Sequence, residues 1–78
     1  MSKLPVVNYR KMHILLSSLG FEIIRQKGSH VRYIHLDGRL CTVPNHGSKD
    51  LLRPLIRAIL RDIKLTPEEY QELLDNLK

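Results

Sequence analysis

Phe21-Glu22-Ile23-Ile24-Arg25-Gln26-Lys27-Gly28-Ser29-His30-Val31-Arg32-Tyr33-Ile34-His35-Leu36-Asp37-Gly38-Arg39-Leu40-Cys41-Thr42-Val43 reads as three strands joined by two tight turns. Large and β-branched side chains dominate Phe21 to Lys27, and His30 to Leu36 alternates as a second strand; Gly28-Ser29 joins the two. Asp37-Gly38 suits a type I′ turn, whose two central residues both need positive φ, and a third strand over Arg39 to Val43 follows it. Alternate side chains of a strand face opposite ways. Val31, Tyr33 and His35 therefore share one side of strand two, and His30, Arg32 and Ile34 the other. In strand three Cys41 and Val43 share a face, and Leu40 and Thr42 the other. Taking the Val31 and Val43 faces as buried turns His30 and Arg32 toward solvent and makes Cys41 a small core residue rather than a nucleophile.

Outward from this meander the periodicity changes to that of helices. Met12, Leu15, Leu16 and Leu19 recur at i, i+3, i+4 and i+7 behind Asn8, a good N-cap, and Gly20 follows as a stop, so helix one is expected over about 8–19. Its polar side carries Arg10, Lys11 and His13, which reads as a solvated surface histidine. After the loop Pro44-Asn45-His46-Gly47-Ser48, Pro54 suits the first turn of a helix over about 54–63, with Leu55, Ile56, Ile59, Leu60 and Ile63 as its apolar face. Arg57, Arg61 and Lys64 lie at i, i+4 and i+7, a basic ridge able to follow phosphates. Thr66-Pro67-Glu68-Glu69 is a capping box, and Tyr70, Leu73, Leu74 and Leu77 form the stripe of a third helix. The order α-β-β-β-α-α predicts a two-layer α+β fold, a three-stranded antiparallel sheet with helices on one face.

Seventy-eight residues, 42% hydrophobic and 27% charged, make one globular domain over 1–78 and argue against disorder. The single cysteine forms no internal disulfide, the start lacks the apolar region of a signal peptide, and no run approaches a membrane span, so a cytoplasmic protein without membrane association is expected. Charge is uneven. Residues 1–64 hold twelve Lys or Arg against four Asp or Glu, net +8, while residues 65–78 hold one Lys against four acids, net −3. A basic body of this size attracts polyanions, nucleic acid first.

The turn Gln26-Lys27-Gly28-Ser29-His30 gathers the chemistry. An imidazole ordinarily titrates at about 6.5 and so exchanges protons near neutrality. Lys27 and Arg32 supply charge to hold a phosphate beside His30, and Gly28 and Ser29 leave backbone N–H groups free as an anion nest. RNA carries its own nucleophile, the 2′-hydroxyl, so cleavage needs that proton removed, the phosphorane charge steadied and the leaving 5′ oxygen protonated; His30 suits either proton step, with Lys27 and Arg32 as candidates for steadying the charge. His46 is the candidate for a second acid/base. His30, His35 and His46 lack tight ligand spacing and no acid completes a zinc site, so neither metal nor cofactor is expected. The competing readings are a non-catalytic RNA-binding module using the same basic surface, and a DNA-binding or protein-interaction domain.

Gly20-Phe21, Arg25-Gln26-Lys27-Gly28-Ser29-His30-Val31-Arg32-Tyr33, Asp37-Gly38-Arg39, Thr42-Val43-Pro44, His46-Gly47 and Ile59-Leu60-Arg61 together closely resemble the HicA (YcfA-like) toxins of type II toxin–antitoxin modules, over about residues 3–77. The resemblance implies a double-stranded-RNA-binding-domain-like fold, metal-independent cleavage of mRNA, neutralisation by a HicB antitoxin, and catalysis by the histidine of Gly-Ser-His, here His30. The chain departs from the family pattern at Ile34, where a polar or basic residue is more usual. It departs again at Arg53-Pro54, in place of Pro-Gly before helix two, and at Lys64, in place of a glycine before Leu65.

Overall fold

The computed structural model describes residues 4–77; Met1 to Lys3 and Lys78, which enter the charge reading above, lie outside the described residues. Six elements follow in the expected order: α1 (Tyr9–Ser18), β1 (Glu22–Lys27), β2 (His30–Ile34), β3 (Leu40–Pro44), α2 (Arg53–Asp62) and α3 (Pro67–Asn76). The strands form an antiparallel sheet in the order β1-β2-β3.

Val31, Tyr33, Cys41 and Val43 point to the inner face and are buried. They join Met12, Leu15 and Leu16 of α1, Ile56, Ile59 and Leu60 of α2, and Tyr70 and Leu74 of α3 in one apolar cluster. Each such side chain, removed from water, contributes roughly 1.5–3 kcal/mol, which is why the helices settle on this face alone. His30 and Arg32 are exposed on the other face, as alternation requires. β1 adds nothing to the core, and its two isoleucines, Ile23 and Ile24, stay 45% and 52% exposed at an open edge. Ile23 pairs with Tyr33 and Arg25 with Arg32, so two residues of β2 face three of β1 and Ile24 is the extra residue of a bulge.

The ends of the elements show how local chemistry stops them. Asn8 caps α1 by accepting from the Lys11 N–H at 3.0 Å. α1 closes when the Phe21 N–H reaches the Leu16 carbonyl and the Gly20 N–H that of Ser17, which needs Gly20 at φ +95°. α2 closes the same way, Leu65 N–H to Leu60 and Lys64 N–H to Arg61, but the left-handed position falls on Lys64, φ +57°. This corrects the basic ridge: Lys64 stands beyond the helix in a reversed backbone, out of line with Arg57 and Arg61. α3 has the complete capping box of Thr66 and Glu69.

The second turn also differs from expectation. A type I′ turn needs two residues of positive φ, and here Gly38 alone has it, at +97°. The Gly38 N–H donates to the His35 carbonyl and the His35 N–H to the Arg39 carbonyl, giving a three-residue loop with Gly38 as its bulge residue. Asp37 holds that shape by accepting from the Arg39 N–H at 3.0 Å and the Arg39 guanidinium at 2.8 Å. β2 consequently ends at Ile34, and β3 begins at Leu40.

Candidate nucleic-acid interface

The two-residue turn Gly28-Ser29 fixes the register that builds the site. Gly28 takes φ +58°, so Lys27 lies directly opposite His30, and two residues further Arg25 lies opposite Arg32. On the other side of β2, His30 faces Pro44 and Arg32 faces Thr42. Directly paired residues share a face. The outer surface therefore carries two cross-strand rows, Lys27-His30-Pro44 and Arg25-Arg32-Thr42, and a third, Glu22-Ile34-Leu40, that is mostly apolar.

Arg25, Lys27, His30, Arg32 and Thr42 line one open depression. Among the described residues the ion pairs are His35–Asp37 and Arg39–Asp37, so the three cations of the depression have no carboxylate partner. Arg25 and Arg32 stand directly opposite one another, an arrangement that costs stability and that a bound anion would relieve. His30, on the middle strand, is exposed to solvent.

Of the residues expected at the site, Lys27, His30 and Arg32 are thus brought together. Gly28 and Ser29 form the turn at its rim, where the Ser29 carbonyl accepts from the Asn45 N–H at 2.6 Å and ties the following loop to the turn. His46 is exposed in that loop and is not among the lining residues. Arg57 and Arg61 are exposed on α2, which packs on the inner side of the sheet, so the sheet separates that helix layer from the depression. Arg25 and Thr42 were missed. Counting back from a two-residue turn would have found Arg25, and counting across from Arg32 would have found Thr42.

The other histidines have different tasks. His13 is not a solvated surface residue: its Nδ1 hydrogen-bonds the Tyr33 hydroxyl at 2.8 Å, and Tyr9 reaches the same hydroxyl at 2.7 Å. Burial, and then the Tyr9 hydrogen bond, push the Tyr33 hydroxyl well above the usual tyrosine range. His35 places Nε2 3.0 Å from the Leu19 carbonyl and its ring edge-on to Phe21, joining the second turn to the end of α1. Arg39 lies over the Phe21 ring and hydrogen-bonds the Ile63 carbonyl, so it too is a structural cation. The Cys41 thiol is 3% exposed and is pushed up to about 11 chiefly by burial, with Asp62 adding and Arg32 opposing, which keeps it protonated at neutral pH. Among the described residues no cluster of three His, Cys, Asp or Glu could hold a metal ion, and no helix is long and apolar enough to cross a membrane.

A family model described as the HicA toxin of bacterial toxin–antitoxin matches residues 9–65, most of the chain and all of the sheet. The chain belongs to the HicA toxin family. Among curated proteins, none matches it. Membership in the HicA family gives the chain the toxin role in a toxin–antitoxin module, and such a module contains a cognate antitoxin. The matched region spans both the HicA-like Gly28-Ser29-His30 turn and the rows of cations around it.

Proposed function

We propose that the chain is a metal-independent endoribonuclease, the mRNA-cleaving toxin of a type II module acting in the cytoplasm. The observation that carries this reading is an exposed imidazole, His30, in one depression with three cations that lack carboxylate partners among the described residues. His30 takes the proton of a ribose 2′-hydroxyl, and the 2′-oxygen attacks the adjacent phosphorus. Lys27 and Arg32 hold the charge that builds on the phosphorane oxygens, where fixed cations act most strongly. The P–O5′ bond breaks, and the leaving oxygen takes a proton from water or the imidazolium. The products are a 2′,3′-cyclic phosphate and a 5′-hydroxyl. Positioned proton transfer of this kind contributes typically ~10²–10⁴-fold.

The antitoxin expected from the resemblance is a HicB-like protein, and an acidic surface on it would complement the outer face of the sheet. His46, Arg57 and Arg61 have no place in the cleavage step. Incubation of the purified chain with labelled RNA in EDTA tests the proposal. Fragments ending in cyclic phosphate are expected, an all-deoxy analogue should survive, and His30→Ala should lose cleavage by at least a hundredfold while folding normally, because His30 is exposed. Arg57→Ala with Arg61→Ala, and separately His46→Ala, should still cleave. Intact but shifted RNA would favour a binding module, and an undiminished rate in His30→Ala would end the assignment.

A further inference from the structure

We propose that the outer face of the sheet reads two successive phosphates of a single RNA strand and no third in that direction, with Arg25 as the residue that holds the second. This rests on the nuclease reading and assigns the substrate's path across the same site. The row Lys27-His30-Pro44 and the row Arg25-Arg32-Thr42 are two residues apart along β2. That is roughly 6.8 Å in an antiparallel strand, close to the separation of neighbouring phosphates in an RNA chain. With the scissile phosphate at His30 and Lys27, the next falls over Arg25 beside the Thr42 hydroxyl, and Arg32, with five N–H donors, is shared between the two. Two guanidiniums and a hydroxyl suit a phosphate well, since guanidinium donors fit its oxygens in pairs.

The track then stops. Two residues further along β2 the row is Glu22-Ile34-Leu40, where a carboxylate faces the edge and Leu40 is 39% exposed. A third phosphate would meet negative charge and hydrocarbon, while a ribose or base edge would rest there at little cost. Ile34, half-buried, sits at that boundary.

The test uses a short RNA with one cleavable ribose and the linkages on both sides replaced, one at a time, by uncharged methylphosphonate. Replacing one of the two flanking linkages should lower kcat/KM on the order of tenfold, the worth of one charge-assisted contact, and the linkage beyond it should be silent. Arg25→Gln should lower kcat/KM on unmodified RNA by a similar factor and have no further effect on the RNA already neutralised at that linkage. Binding of the same RNAs to the His30→Ala chain gives a readout independent of chemistry. If wild type leaves RNA intact while this binding pattern persists, the nuclease reading fails and the two-phosphate track stands. Equal losses at every linkage, or silence at both flanking ones, would overturn the track.

Discussion

Gly20 and Lys64 occupy equivalent places: each follows a helix, each takes a left-handed backbone, and each donates its N–H to the carbonyl three residues back. Only one is glycine. A side chain in this conformation costs on the order of 1 kcal/mol, so Lys64→Gly should raise stability by about that amount. Gly20→Ala should do the reverse, lowering stability by about 1–2 kcal/mol, because the new Cβ would also lie 3.2 Å from His35 Nε2. Denaturant titration of the two variants checks both signs. At this scale the sequence was legible where alternation alone decided, as for His30, Arg32 and Cys41. It misled on His13, read as solvated, whose partner Tyr33 comes from a strand twenty positions away. Helical periodicity places a residue on the flank of a stripe without saying what arrives beside it.

Among the elements, strand existence and helix order were legible because strands and helices have different apolar periods. Their ends were less so, because a turn is decided by φ angles that Asp37 did not adopt and by the early reversal at Lys64. The basic ridge loses its third member, Lys64, for that second reason, while Arg57 and Arg61 stay exposed on α2. The capping box of α3 was read directly, since its hydrogen bonds join residues three apart, and it makes a pH prediction. The Thr66 backbone N–H, and then its hydroxyl, hold the Glu69 carboxyl below its ordinary value of 4.5. A carboxylate whose folded pKa is lowered adds stability that is whole above the unfolded value and is lost as pH falls through the folded one. The stability gap between wild type and Glu69→Gln should therefore be constant near neutrality and close on acidification below about pH 4.5, as followed by thermal melts across that range.

For the whole molecule, site and fold pull in opposite directions on the outer face. Arg25 and Arg32 face each other across the β1–β2 pair without an acid to separate them, a repulsion worth a few tenths of a kcal/mol at an exposed position. Arg25→Gln should accordingly melt slightly higher than wild type while cleaving RNA less well. A melting temperature that falls with activity would mean that Arg25 supports the fold instead. Net charge, readable from composition, raises the expectation of a polyanion partner; it does not say which cations share a face, because that depends on pairing register.

The bulge at Ile24 bears on how the chain behaves in a crowded solution. An open strand edge offers unpaired N–H and C=O groups to any neighbouring copy, and an irregular, twisted edge is a poor template for them. Removing Ile24 would keep Arg25, Lys27 and Glu22 facing outward, yet straighten the rim into a regular ladder with Ile23 in it. Light scattering at rising concentration should then find sticky, growing assemblies in the deletion variant and dispersed particles in wild type.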